Sequence, residues 1–188
     1  MKKLIILASG SGTNAENIIR YFEHDAAVSV VCVLSNKSNA GVLNRCDQLQ
    51  IPAFYFNKSA FKSDKVLNFI KCENPDLIIL AGFLWKIPLE WVHTFPEKIV
   101  NVHPALLPKF GGKGMYGNHV HQAVKESGDS ETGITIHLVN EEYDKGSILF
   151  QASTKVHVDD TIDAIAAKVH ELEYKHYPEV IHKLLQDG

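Results

Sequence analysis

Lys2-Lys3-Leu4-Ile5-Ile6-Leu7-Ala8-Ser9-Gly10-Ser11-Gly12-Thr13-Asn14-Ala15 opens the chain and decides the fold. Leu4 to Ala8 is unbroken apolar sequence, so residues 2–8 read as a strand buried on both faces, the pattern of a parallel sheet. Glycines then let the backbone turn sharply. Residues 14–23 follow with Ile18, Ile19 and Phe22 at helical spacing. A buried strand, a glycine turn and an amphipathic helix make the first βα unit of an α/β fold. The turn also carries chemistry. A helix start offers N–H groups without helical partners and a partial positive charge, which suits phosphate. The string satisfies the loose G-x-G-x-x-A dinucleotide pattern. That pattern expects an acid at the end of the second strand, where this chain has Leu34-Ser35-Asn36-Lys37. A phosphomonoester held by Gly12, Thr13 and Asn14 fits better. The competing reading is that Thr13 or Asn14 merely caps the helix.

Outward from this unit, the alternation continues. Residues 28–34 predict a second buried strand, 40–49 a helix, Pro52–Phe56 a short strand and 60–72 a helix. Asp76–Ala81 predicts another buried strand, stopped by Gly82, and Leu89–His93 a helical turn leading to a strand at 98–103. This is a doubly wound, mostly parallel sheet. Residues 109–118 break the pattern with Gly111, Gly112, Gly114 and Gly117 and read as a mobile loop. A helix over 118–126 follows. Strands over 132–139 and 147–156 flank a polar loop and form an antiparallel addition. A long helix over 160–185, bent near Pro178, closes the chain. No repeat, low-complexity tract or linker divides it, so one domain over 1–188 is expected.

Composition narrows the function classes. At 188 residues the chain can bury a real core. The net charge is −3 with no basic run, which argues against nucleic acid as a partner. Cys32, Cys46 and Cys72 are odd in number and form no CxxC pair, so they read as reduced thiols and favour a cytoplasmic setting. No apolar run approaches membrane-spanning length, and no membrane partner is expected.

The second chemical signal is Ile99-Val100-Asn101-Val102-His103-Pro104-Ala105-Leu106-Leu107-Pro108. On a strand, alternation puts Asn101 and His103 on one side. Pro104 ends the ladder just beyond them. A carboxamide and an imidazole would then stand together at the carboxyl end of a strand, where α/β folds bind ligands. The pair suits a carbonyl that becomes an oxyanion. The alternative is a turn contact for Asn101 and a packed, satisfied His103. Elsewhere, His119-Val120-His121 resembles a metal pair, but no third ligand has suitable spacing and no metal is expected; His119 could face a ligand. Thr135 and His137 share a face of their strand. Asp144 sits in an acid-rich loop and Glu173 in the last helix, and for both a solvated charge is the simpler reading.

Taken together these pieces resemble the glycinamide ribonucleotide formyltransferase family, enzymes of purine biosynthesis that depend on 10-formyltetrahydrofolate. The resemblance covers nearly the whole chain. It rests on Ser9-Gly10-Ser11-Gly12-Thr13-Asn14, Leu80-Ala81-Gly82-Phe83, the Asn101 to Pro108 segment, His119-Val120-His121 and Gly133-Ile134-Thr135-Ile136-His137. It continues with Asp144-Lys145-Gly146, Ile148-Leu149-Phe150-Gln151, and Glu173 ahead of Tyr177-Pro178. The Asn-x-His-Pro signature is shared by other formyl-folate enzymes. The Ser-Gly-x-Gly-Thr-Asn loop points to the ribonucleotide substrate.

The resemblance implies a Rossmann-like formyltransferase fold and small-molecule substrates, in a monomer or weak homodimer. It implies that Asn101, His103 and Asp144 are catalytic, with Asp144 keeping His103 cationic. Gly12, Thr13 and Asn14 would hold phosphate and Glu173 the ribose hydroxyls. Phe83, Leu84, Trp85, Lys86 and Ile87, with Val139, Asn140, Glu141 and the loop up to Asp144, would line the folate cleft. Thr135 would orient Asn101 or a water, and His137 would support the 140–144 loop. The chain departs from its relatives at Trp85-Lys86, in the longer glycine-rich stretch at 110–117, and at His170, where a phosphate contact would depend on pH. The sister readings are a formyltetrahydrofolate hydrolase, which usually adds an N-terminal regulatory domain, and methionyl-tRNA formyltransferase, which adds a C-terminal tRNA-binding domain. Neither addition is expected here. A nucleotide-binding module without catalysis is the rival from another class.

Overall fold

A computed structural model describes residues 1–187. Seven strands form one sheet: β1 (Lys2–Ala8), β2 (Val28–Ser35), β3 (Ala53–Tyr55), β4 (Leu77–Leu80), β5 (Ile99–His103), β6 (Glu131–Leu138) and β7 (Ile148–Lys155), in the order β3-β2-β1-β4-β5-β6-β7. β1 pairs in parallel with β2 and β4, and β2 with β3, while β6 and β7 are antiparallel. The doubly wound sheet with an antiparallel addition is thus the observed architecture.

The chain forms two compact units. The first comprises residues 1–100 and the last turn from Leu185. Its centre is β1, where Leu4 to Ala8 are fully buried. Each such Leu or Ile contributes roughly 1.5–3 kcal/mol of burial. Helix α1 (Thr13–Phe22) buries Ala15, Ile18, Ile19 and Phe22, one face of a helix at 3.6 residues per turn. Helix α2 (Gly41–Gln48) buries Val42 and Cys46. Burial pushes the Cys32 thiol up to about 12 and that of Cys46 to about 11, so both are inert apolar fillers.

One element differs from the expectation. Residues 60–72 form not one helix but two, α3 (Lys58–Lys62) and α4 (Asp64–Glu73). Asn57 Oδ1 caps the first by accepting from the Ala60 N–H at 2.9 Å. Ser63 is extended (φ −91°, ψ 166°) and its hydroxyl donates back to the Ala60 carbonyl, so the chain restarts there.

The second unit spans residues 101–184. Helix α5 (Leu89–Thr94) precedes it in the first unit; helix α6 (Asn118–Ser127) and most of α7 (Ile162–Asp187) belong to it. Val120, Val124, Ile134, Ile136, Val169 and Tyr177 are fully buried there. The long helix α7 runs on through Pro178. Between β5 and α6 the glycine-rich stretch is a chain of turns, with Met115 N–H on the Gly112 carbonyl and His119 N–H on that of Tyr116. Among the described residues, no helix is long and apolar enough to cross a membrane.

Candidate active site

In the second unit the sequence-predicted polar residues converge. β5 ends with Asn101 half-buried and His103 only 3% exposed. Asn101 Nδ2 donates to His137 Nε2 at 3.1 Å, and His137 Nδ1 donates to the Leu138 carbonyl at 2.8 Å. An amide nitrogen can only donate, so His137 Nε2 must accept and its hydrogen sits on Nδ1. Burial, the larger influence, lowers the His137 pKa against the opposing pull of the Leu138 carbonyl and Asp144, which favours this neutral ring. One Nδ2 hydrogen of Asn101 is thereby fixed, and the other keeps a defined direction.

His103 Nε2 donates to the Phe110 carbonyl at 2.8 Å, while its Nδ1 lies 3.7 Å from Asp144 Oδ2. Asp144 Oδ2 accepts the Gly112 N–H at 2.8 Å, and Oδ1 lies 3.8 Å from His137 Nε2. The backbone of the glycine-rich stretch thus contacts both His103 and Asp144. Gly111 permits this approach, since a Cβ there would collide with Leu107.

Thr135 takes a role other than the one expected. The Thr135 hydroxyl donates to the Ala105 carbonyl at 2.7 Å and accepts from Leu107 N–H and Gln151 Nε2, each at 2.9 Å. Its capacity is spent on the turn after His103, not on Asn101 or a water. Gln151 Nε2 also donates to the Leu107 carbonyl at 3.0 Å. His137 orients Asn101 and lies beside Asp144 at the end of the 140–144 loop; that loop is also braced from within, by Asn140 accepting from Glu142 N–H and donating to the Lys145 carbonyl.

His119, His121 and His170 also belong to this unit. His121 is 3% exposed in the first turns of α6, and burial lowers its pKa to about 4, helped by His170 and His103. His170 is half-exposed and lies 3.8 Å from the buried carboxylate of Glu173. His119 is exposed, with its ring edge-on to Tyr116. Among the described residues, no group of three or more His, Cys, Asp or Glu is placed to hold a metal ion.

The first unit carries the glycine loop. Gly12 is the N-cap of α1 in the left-handed region (φ 80°), and no side chain caps the helix. A Cβ at Gly12 would run into Val42, so only glycine fits. Arg45 Nε donates to the Ser11 carbonyl at 2.9 Å, and Arg45 also pairs with Glu16 in the first turn of the helix. Arg20 and then Arg45 hold the Glu16 carboxyl below its usual range. The loop is braced from its flank, while the helix start stays formed by backbone.

Phe83 to Ile87 also belong to the first unit. The Leu84 N–H donates to the buried Ser9 hydroxyl at 2.9 Å, which ties this loop to the end of β1. Trp85 packs among Phe56, Phe61 and Phe83, at 6.0, 5.2 and 6.3 Å between ring centroids. Lys58 Nζ lies 4.1 Å over its ring. Leu84, 40% exposed, is the apolar side chain this loop presents. Val139, Asn140 and Glu141 lie in the second unit. Sequence reasoning missed Gln151, Phe110 and Gly112 as partners of the cluster. Gln151 was at hand as a polar residue on an outer strand; the other two act through backbone.

A doubly wound α/β fold thus holds a carboxamide, an imidazole and a carboxylate together at the carboxyl end of a strand, where such folds bind ligands. Comparison with known proteins specifies it: residues 2–181 match the formyl transferase family, and the chain belongs to that family. A phosphoribosylglycinamide formyltransferase of Haemophilus influenzae is 38% identical over 96% of this chain and 86% of its own length. A chloroplastic one from Arabidopsis thaliana is 39% identical over 99% of this chain, which spans 66% of that relative. The crystal structure of the phosphoribosylglycinamide formyltransferase of Anaplasma phagocytophilum superposes with a TM-score of 0.90 at 30% identity, covering 99% of this chain and 88% of that one.

Proposed function

We propose that this protein transfers the formyl group of 10-formyltetrahydrofolate to the amine of glycinamide ribonucleotide, in the synthesis of purines. The observation that carries the reading is the Asn101 carboxamide oriented by a neutral His137, beside His103 and Asp144, in a chain of the formyl transferase family. The whole of 1–188 is read as one such domain, working in the cytoplasm on small molecules, with no metal.

The amine nitrogen attacks the formyl carbon and forms the new C–N bond. The carbonyl oxygen becomes an oxyanion. Asn101 donates to it through the Nδ2 hydrogen that His137 does not take. His103 donates through Nε2–H, a hydrogen that the Phe110 carbonyl accepts in this structure and that must turn from it to the oxyanion. One such donor is worth about 2.7–4 kcal/mol in the transition state. The bond from the formyl carbon to the folate nitrogen then breaks. Asp144 relays the proton from the amine to that nitrogen through water. Gly12, Thr13 and Asn14 bind the ribonucleotide phosphate through the start of α1, and Glu173 accepts from ribose hydroxyls. Phe83, Leu84, Lys86 and Ile87, with Val139, Asn140 and Glu141, serve the folate; Trp85 supports this loop through its ring cluster.

The test is turnover with 10-formyltetrahydrofolate, with and without glycinamide ribonucleotide. Formyl transfer only when the ribonucleotide is present is the expected result. Release of formate without it would replace the proposal with a hydrolase.

A further inference from the structure

Asn36 takes no part in the chemistry above, yet its surroundings are unusual. β2 ends at Ser35, whose register partner on β1 is Ala8. One residue further along, β1 passes into Ser9 and the glycine loop, and β2 passes into Asn36. The chain then turns back to the same loop. Val42 N–H donates to the Gly10 carbonyl at 3.2 Å, and Arg45 Nε to that of Ser11 at 2.9 Å. Segments on either side of Asn36 therefore touch the loop or the strand that leads into it.

Asn36 is only 6% exposed, and neither Oδ1 nor Nδ2 has a hydrogen-bond partner. Its neighbour Ser35 is satisfied, with Oγ accepting from the Lys37 N–H. An amide buried without partners costs folding free energy. A folded chain tolerates that where a polar ligand completes the site. The adjoining helix start supplies backbone donors and positive charge for an anion. Asn36, one residue past the end of β2, has a neutral side-chain donor to offer.

We propose that Asn36 is a phosphate-binding residue, its Nδ2 donating to an oxygen of the phosphomonoester held at the start of α1. The inference deepens the ribonucleotide reading and rests on it for the identity of the substrate. A carboxylate at position 36 would repel a phosphate, whereas it would still accept from a ribose hydroxyl.

The test compares wild type with Asn36→Ala and Asn36→Asp. Inorganic phosphate is titrated by calorimetry, and KM is measured for glycinamide ribonucleotide and for 10-formyltetrahydrofolate. We expect the Kd for phosphate and the KM for the ribonucleotide to rise at least tenfold in Asn36→Ala and further in Asn36→Asp. The KM for folate should stay within twofold and the melting temperature should not fall. The Asp variant is isosteric and carries the test if the Ala variant does not fold. Unchanged phosphate affinity in the variants, an equal rise in both KM values, or an Asp variant that matches wild type would each overturn the assignment. Phosphate binding that depends on Asn36 in a protein that does not formylate the ribonucleotide would defeat the substrate reading and leave this one standing.

Discussion

The glycine loop before α1 and the polar cluster after β5 both read as sites, but they are built in opposite ways. The loop works with backbone. Gly12 caps α1 in a left-handed conformation and no side chain closes the helix start. The cluster works with side chains, and nearly every polar atom in it is aimed by another: Asn101 by His137, His137 by Leu138, Asp144 by Gly112, and His103 by Phe110. The difference teaches what each task demands. Holding an anion needs several donors of fixed direction, which a helix start supplies at once. Stabilising a charge that exists only in the transition state needs one or two donors that do not move. Rigid partners supply that.

The largest test of the contrast removes a donor. Asn101→Ala is expected to lower kcat by about 10²–10³-fold, the range for loss of one oxyanion donor. His103→Ala should lose at least as much, since it removes a donor and the imidazole that faces Asp144. Both variants should keep the fold and bind the ribonucleotide as before. Near-normal turnover of His103→Ala would break the comparison, because the cluster would then be packing.

Next in size is a dependence of stability on pH that the buried histidines of the cluster's unit contribute. Burial keeps His121 neutral until about pH 4 in the folded protein, with His170 and His103 adding to the shift. In the unfolded chain an imidazole takes its proton near ~6.5. Between those values the unfolded state binds more protons, so stability falls as the pH drops. The loss is on the order of 2 kcal/mol by about pH 5. His137 shifts in the same direction and adds to it. Denaturant titrations from neutral pH downward should show this slope, and His121→Leu should flatten it. An unchanged slope in that variant would remove His121 from the account.

His137→Ala probes whether one cluster residue acts through another. It should cost roughly 10–30-fold in kcat, because the Asn101 amide loses its aim but not its donor. Combined with Asn101→Ala, it should add almost nothing, the mark of two residues serving one function. Additive losses in the double variant would mean that His137 touches substrate itself.

The two regions were also unequally legible. The loop could be read from local sequence, because glycines, helix periodicity and strand all lie within Leu4 to Phe22. The order of strands and helices was legible for the same reason. The break at Ser63 was not seen, although Asn57 and Ser63 are both cap residues, because Phe61, Val66, Phe69 and Ile70 keep an apolar spacing across it. In the cluster, Asn101, His103 and Asp144 stood out as residue types. Their partners did not. Whether Thr135 meets Asn101 or the turn at Ala105 depends on which atoms of β6 face the end of β5, a contact 30 residues away in sequence. Phe110 and Gly112 contribute a carbonyl and an N–H, groups that every residue carries and no motif distinguishes.

The smallest expected effect lies on the loop side. Asn14→Ala should raise the KM for the ribonucleotide by about 5–10-fold, roughly 1–1.4 kcal/mol, and leave the KM for folate and kcat nearly unchanged. The effect is modest because the loop's N–H groups are backbone and survive the substitution. Only what the side chain of Asn14 adds is lost. An anion site made of backbone should degrade gradually under single substitutions, whereas a site made of one aimed carboxamide should fail at once. Equal rises in both KM values would contradict the phosphate role of the loop. A fall in kcat as large as that of Asn101→Ala would erase the distinction between the two regions.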